Sequence, residues 1–348
     1  MPKPRHLAAI LSVAISLIGC ASHPIQSPAV GPAYRLVKSV PLGAPDRWDA
    51  LAFDPASKRV YVAHGDRVTV LDGITGAIIG NVKGFDGGTH GVAISTVTGK
   101  GYTDDGRAGI AASFDLATLK VKKRIEAEKD ADGVTLDPKS GHIFVIDGDS
   151  GKVTVIDPKS DRRIATIDLG GGLEFGTADS AGKVYVNGAE KREIVRIDAA
   201  TNKVDARWPV PDCERPHGIA LDEKNHRLFS SCVNALLVVV DTTNGRTVST
   251  VPIGKGTDGA AFDPKRNRVF SSNGRDGTLS VIEERDPQTF IPLGEIKTAV
   301  SARTMAIEPG TGRLYLPAAE FDPKVQSPNG RPMPVPGSLK LLIFDPSN

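Results

Sequence analysis

One unit is written seven times along this 348-residue chain, and the repetition constrains the fold more than any other feature. The segments FDPASKRVYV, ISTVTGKGYT, LDPKSGHIFV, TADSAGKVYV, LDEKNHRLFS, FDPKRNRVFS and IEPGTGRLYL align without a gap. Their second residues are Asp54, Ser95, Asp137, Ala178, Asp222, Asp263 and Glu308, spaced 41, 42, 41, 44, 41 and 45 residues apart. A period of about 42 residues built from short strand patterns is the signature of a propeller blade. Length alone favours about two domains; seven copies of one unit argue for a single one.

Each unit reads as four strands separated by turn residues. In the third, DGVTLDP, HIFVIDG, KVTVIDP and RRIATIDLG follow one another. Along Lys152-Val153-Thr154-Val155-Ile156-Asp157 the side chains alternate between faces, as in a blade packed against its neighbours. Pro138 and Pro158 fall just past strand ends, where no ladder donor is lost. Asp72-Gly73, Asp147-Gly148 and Asn244-Gly245 supply hairpin turns. The seventh unit runs out of chain after its third strand, LKLLIFDP, so its fourth must come from elsewhere. YRLVKSVPL, residues 34–42, matches a fourth strand such as GRTVSTVPI and can close the ring. Closure removes the open edges that would otherwise aggregate. The expected fold class is all-β, a seven-bladed β-propeller over residues 33–348, completed by an N-terminal strand.

Composition agrees with this reading. Gly and Pro, 37 and 25 residues, mark a turn-rich but folded chain, and 40% hydrophobic residues suffice for a sizeable core. No apolar run approaches the roughly 18 to 20 residues of a spanning helix. Polytopic membrane proteins, collagens and coiled coils are excluded.

Residues 1–19 stand apart, because Lys3 and Arg5 precede LAAILSVAISLIG as in an export signal peptide. Leu17-Ile18-Gly19-Cys20 resembles the lipobox of bacterial lipoproteins, which makes Cys20 the expected lipidation site and residues 20–32 a lipid-anchored linker. Ordinary cleavage nearby, after Ala21, is the alternative. The lipobox reading implies an exported lipoprotein of the cell envelope on the periplasmic face, and Ala21 after the cysteine resembles the outer-membrane default of proteobacteria. Loss of residues 1–19 takes away two basic groups and lowers the formal charge from +2 to zero. A neutral domain without a basic block offers nucleic acid no general attraction, so none is expected as a partner. Membrane contact is expected only through the lipid anchor, and the protein is expected to be a monomer.

VYV, IFV and VYV, followed by VTVLD, VTVIDPKSDRRIATI and IVRIDAATNKV, resemble the YVTN-repeat, or YncE-like, seven-bladed propellers of bacterial envelopes over residues 33–348. The resemblance implies the fold. It implies no single activity, because propellers host unrelated chemistries.

In a propeller the loop before each inner strand and the turn after each second strand open on one face. The residues before the inner strands are Asp49, His90, Asp132, Glu174, His217, Asp258 and Thr304. Four carboxylates and two imidazoles are therefore expected around one mouth of the channel, above a second tier of His64, Asp104, Asp147, Asn187, Cys232, Asn273 and Glu320. Like charges in a narrow channel raise each other's pKa unless a cation or arginine offsets them, and Arg47, Arg215 and Arg303 flank the ring. Two hypotheses follow. The ring holds a divalent metal ion, with His90 and His217 as ligands able to share only an axial ion, and imidazole among carboxylates favours a transition metal over calcium. Or it is an acid–base site for an anionic substrate held by the arginines. Solvated polar lining is the plainer alternative, since a turn into a strand accepts aspartate.

The leading expectation is a cell-envelope binding module for a small molecule, a metal ion or an envelope protein. The alternative is a propeller enzyme of lactonase, cyclase or lyase type, since propellers resembling lactonases do such chemistry with His, Glu and Arg at this face. An adhesin or scaffold is the third class.

Other motifs add little. Asp147-Gly-Asp149-Ser-Gly151 begins like a calcium loop but lacks the distant Glu, so it reads as a tight hairpin. GxSxG, HExxH and Walker loops do not occur, and Trp48 beside Asp49 reads as a packing residue. The proline-rich insertion at residues 320–337, EFDPKVQSPNGRPMPVPG, leaves from the face of the ring and has the length of a lid. With Cys20 set aside, an even remainder in an oxidising compartment suggests a Cys213–Cys232 disulfide, against free thiols or soft metal ligands. The repeat register favours the disulfide, placing both cysteines at one face of the fifth unit.

Overall fold

The computed structural model describes Met1, residues 34–327 and residues 332–347, so the signal segment, Cys20 and the linker at 20–32 lie outside the described residues. Seven four-stranded antiparallel sheets follow the sequence repeat. They are blades one to seven in chain order, with inner strands Leu51–Asp54, Val92–Ser95, Ala131–Leu136, Gly176–Ala178, Pro216–Asp222, Thr257–Asp263 and Ala306–Glu308. Each inner strand touches the next in a closed circle, the seventh meeting the first. No helix among the described residues is long and apolar enough to cross a membrane.

The ring closes as the incomplete last unit requires. Tyr34–Pro41 pairs antiparallel with Lys340–Pro346, Tyr34 opposite Pro346 and Pro41 opposite Lys340, and forms the outer strand of blade seven. The first and last described strands thus share one sheet, and the edge that Lys340–Pro346 would otherwise leave open is paired.

Alternation along the second and third strands sends side chains to both faces of each blade, so the core lies between blades. Seven apolar clusters result, one per junction. Phe144, Val155, Val184 and Val195 fill the junction of blades three and four. Val60, Val62, Tyr315 and Ile343 fill that of blades seven and one, together with Val40 of the closing strand. Each such buried side chain contributes roughly 1.5 to 3 kcal/mol.

The far hairpins, between third and fourth strands, are fastened by aspartates. Asp115 accepts from the N–H and hydroxyl of Thr118, from Lys122 and from Ala117 N, which holds its carboxyl down at about 2. Asp72, Asp198 and Asp241 accept turn N–H groups in the same way in their own blades.

The insertion is not the irregular loop its prolines suggested. Phe321–Gln326 pairs with Pro332–Pro334 as a two-stranded hairpin. Its base is tied down by Asp46, whose carboxylate accepts from Gly337 N and Leu339 N, both at 2.7 Å. Beneath it Trp48, Ala319 and Leu339 form a small apolar cluster.

The channel mouth as the candidate functional site

The loop leading into each inner strand is fixed by backbone bonds to its own blade and to the next. Asp49 N donates to Ala63 O at 3.0 Å, and Ala50 N donates to His90 O at 2.9 Å. The seven equivalent side chains therefore stand together at one mouth. Thr304 is the uncharged member, and its hydroxyl donates to Asp49 O at 2.8 Å.

Directly below the ring, glycine recurs at His90-Gly91, Asp132-Gly133, His217-Gly218 and Asp258-Gly259. The inner strands converge here. A Cβ on Gly91 would stand 2.4 Å from Val134 N, and one on Gly218 would stand 2.5 Å from the carbonyl carbon of Gly259. This dipeptide was a sequence signal for the mouth that the register argument did not use.

The ring divides into two groups. On one side His90 Nδ1 lies 2.8 Å from Asp104, whose carboxylate also accepts from Gly91 N at 2.6 Å. Asp132 approaches the same nitrogen to 3.9 Å, and Arg47 Nη2 stands 3.1 Å from His90 Nε2. Ligand atoms of Asp49, His90 and Asp132 all fall within 4.8 Å of one another. On the other side His217 lies between Asp258 at 3.1 Å and Glu174 at 3.3 Å, and Arg215 reaches Glu174 at 3.5 Å. Arg303 bridges the groups, 2.6 Å from Asp258 and 3.7 Å from Asp49, with its guanidinium over the Trp48 ring at 5.1 Å.

The two imidazoles expected as ligands of a shared axial ion stand in different surroundings. His217 belongs to a separate ion-pair group, and among the described residues His90 joins Asp49 and Asp132 in a set of ligand atoms that a metal ion could bridge. Nδ1 of His90 is engaged by Asp104, and the ring is held protonated by the carboxylates around it, so imidazole ligation must displace Asp104 or a proton. That weakens the argument for a transition metal, and it leaves the two carboxylates as the open donors.

Electrostatics at the mouth follow from burial. Burial pushes Asp49 up to about 6 against the pull of Arg303 and His90. Burial and then Asp49 lift Asp132 well above the usual carboxylate range, and burial takes Glu174 up to about 7. For His90 burial favours the neutral ring, but Asp104, Asp132 and Asp49 outweigh it and carry the imidazole to about 9. Burial opposes protonation of His217 as well, and Asp258 and Glu174 reverse the direction. The mouth therefore takes up protons to offset its own carboxylates.

The second tier is structural. His64, Asp104, Asp147, Asn187, Cys232 and Asn273 are buried at the ends of second strands, while Glu320 is exposed beside Lys340. Cys213 and Cys232 are joined by a disulfide, which fastens the loop bearing Arg215 and His217 to the second strand of blade five.

Beneath the ring lies a channel space of about 150 Å³, lined by Gly91, Gly176, Gly218 and Gly259 together with Thr135, Phe175, Asp258 and Thr304. It shares Val92, Val134, Thr135 and Gly176 with a deeper cavity of about 460 Å³.

Closed circle, channel and polar mouth define a seven-bladed β-propeller, an architecture of binding modules in general. No protein-family model matches the chain. Among curated proteins it is similar to the uncharacterized protein YncE of Salmonella typhimurium, 27% identical over 184 residues, 51% of this chain and 48% of the relative. The counterpart in Salmonella typhi is 26% identical over the same share of each chain. The match spans about half the length of these curated relatives. The chain is thus a YncE-like seven-bladed propeller. Solved structures show the fold alone. U3-55K superposes with a TM-score of 0.74 at 11% identity over 90% of this chain and 99% of that one. The WD40 repeats of RRP9 give 0.75 at 10% identity over 90% and 99%. Kuenenia stuttgartiensis hydrazine synthase gives 0.68 at 12% identity over 80% and 92%.

Proposed function

We propose that the chain is a binding module whose channel mouth takes up a cation in the gap between Asp49 and Asp132, beside His90. One observation carries this reading. Two half-buried carboxylates converge there, and neither accepts a hydrogen bond from a side chain among the described residues, while the other mouth carboxylates have close cationic or donor partners. Two carboxylates this close cannot both ionise without strong repulsion, which is why the mouth retains protons, and a bound cation takes the place of those protons.

Calorimetric titration of the purified chain with Zn²⁺, Ca²⁺ and methylammonium tests the reading. At least one should bind, and Asp49→Asn combined with Asp132→Asn should weaken it at least tenfold, about 1.4 kcal/mol. His217→Gln should change affinity less than twofold. If none of the three binds, or the double variant binds equally well, the mouth is only a polar lining.

The export reading of residues 1–32 supports an envelope setting, with a small molecule or an envelope protein as the source of the cation. Palmitate labelling that survives Cys20→Ser would remove Cys20 as the anchor without touching the site.

A further inference from the structure

We infer that the closing seam of the ring, where the outer strands of blades seven and one meet, rests on the surface of a lipid bilayer. The inference goes beyond the cation reading of the mouth and does not rest on it.

Comparison of the seven blades singles out this seam. Every outer strand carries a bulge at one register position, so the bulged residue and the one before it form an equivalent pair in each blade. In blade seven the pair is Leu36-Val37 and in blade one it is Ile78-Ile79, all four at least 40% exposed. In each of the other five blades the pair includes a polar residue or proline, in turn Lys122, Arg163, Asp205, Thr247 and Pro292. The hairpin before the outer strand of blade one adds Ile74, 64% exposed. Its counterparts, whose N–H groups meet the turn aspartates in the same way, are Ala117, Lys159, Ala200 and Thr243.

These residues share one surface, because the hairpin of blade one sits on the closing strand. Lys38 Nζ donates to Thr75 O, and a Cβ on Gly76 would stand 3.0 Å from Val40 and 3.2 Å from Lys38. Arg313 donates to Ile74 O at 3.0 Å and pairs with Asp345, which lies opposite Arg35. Single exposed apolar side chains need no explanation, but a contiguous group marks a contact surface.

The occupant follows from where the chain enters. Tyr34 begins the closing strand opposite Pro346, at the end away from the mouth, whereas Pro41 meets Lys340 and so Ala318 at the mouth end. Residues 20–33 reach at most about 50 Å when fully extended, so the lipid expected on Cys20 keeps the seam close to the bilayer. Exposed Arg35 and Lys38 flank Leu36 and Val37. Apolar side chains settle at the boundary of headgroups and acyl chains, and the two cations meet anionic headgroups. An isologous contact with a second copy would instead bring like cations to one patch. Seated this way, the propeller keeps its mouth clear of the lipid.

The chain from Ala21 onward holds every described strand of the ring but no lipid, so it isolates the seam from the anchor. It should cosediment with vesicles of equal parts phosphatidylglycerol and phosphatidylethanolamine. Leu36→Ser, Ile74→Ser and Ile78→Ser together should lower the partition coefficient at least tenfold, with an unchanged thermal midpoint showing that the fold is intact. Phe321→Ser with Val325→Ser, on the exposed insertion hairpin, should change it less than twofold. Arg35→Gln with Lys38→Gln should lower it at least threefold and weaken its dependence on salt. The native Trp48 and Trp208 are buried, so Ile74→Trp reports contact through quenching by lipids brominated on their acyl chains, and Val325→Trp should not be quenched. If the chain does not bind these vesicles, or the triple variant binds as well as the parent, the inference is overturned. A dimer in solution that the triple variant abolishes would overturn it too, by giving the surface to a second copy. Cation titration at the mouth is a separate measurement, so either reading can fail alone.

Discussion

His90 and His217 occupy the same register position three blades apart, yet they are held in opposite ways. In blade two the penultimate residue of the second strand is Asp104, which reaches up to both the ring and the backbone of His90. In blade five that position is Ser231, whose hydroxyl finds no partner among the described residues, while the next residue, Cys232, is bonded to Cys213. His217 therefore has no carboxylate from its own blade and is gripped from the sides by Glu174 and Asp258. One repeat position thus yields two kinds of site, and the residue beneath decides which. Anchored from below, His90 leaves Asp49 and Asp132 open, whereas His217 consumes the carboxylates beside it.

The largest test of this contrast removes the anchors. Asp104→Ala leaves His90 N, Gly91 N and the imidazole without their buried acceptor, and breaking a buried charged pair costs about 3 kcal/mol or more. Asn187→Ala in the fourth blade removes donors to His217 O and Gly218 O, which are uncharged bonds, and should cost about 1 to 2 kcal/mol. Urea midpoints should separate the two variants. Equal losses would break the comparison, because the carboxylate would then hold no more than an amide does.

Next in size is the anchor of blade five. Replacing both Cys213 and Cys232 by serine opens a loop of 19 residues, worth about 3 kcal/mol at most in the loop-entropy picture. Arg215, held at φ 45° between the disulfide and Pro216, should lose its place beside Glu174. The cation site on the His90 side should keep its affinity within twofold. A fall in both stability and cation affinity would show the two groups to be one coupled site.

How far the sequence alone reached follows the same division. Blade number and strand positions were legible because alternation and period are one-dimensional properties of the chain. The closing strand was legible because the seventh unit lacked a fourth. Register also gave the ring of Asp49, His90, Asp132, Glu174, His217 and Asp258. It could not give the pairing, because whether Asp104 points up at its own His90 depends on side-chain direction at a converging strand. Nor did it show that Arg303 would join Asp49 to Asp258 across the chain's two ends. The hairpin at Phe321–Gln326 was hidden for another reason: proline removes donors, and its strand pairing survives only in a short, two-stranded form.

The subtlest difference between the two imidazoles is a slope against pH. His90 rises from 6.5 to about 9 on folding, so its ion pairs stabilise the fold fully below about 6.5 and are lost as pH climbs through about 9. Asp49, raised from 3.8 to about 6, acts with the same sign lower down, because the folded state takes up its proton more readily than the unfolded chain does. Stability at this mouth should therefore decline between pH 6.5 and 9, by roughly 1 to 3 kcal/mol. Asp104→Asn keeps the shape and an acceptor for His90 but removes the charge that holds the proton, so burial prevails and the decline across that window should vanish. His217→Gln should leave most of the slope in place, since His90 is untouched. Urea midpoints taken from pH 6 to 9.5, with the His90 ring protons followed by NMR, measure both. Parallel profiles for wild type and Asp104→Asn would mean that the buried carboxylate does not set the charge of His90, and the contrast between the two blades would reduce to geometry alone.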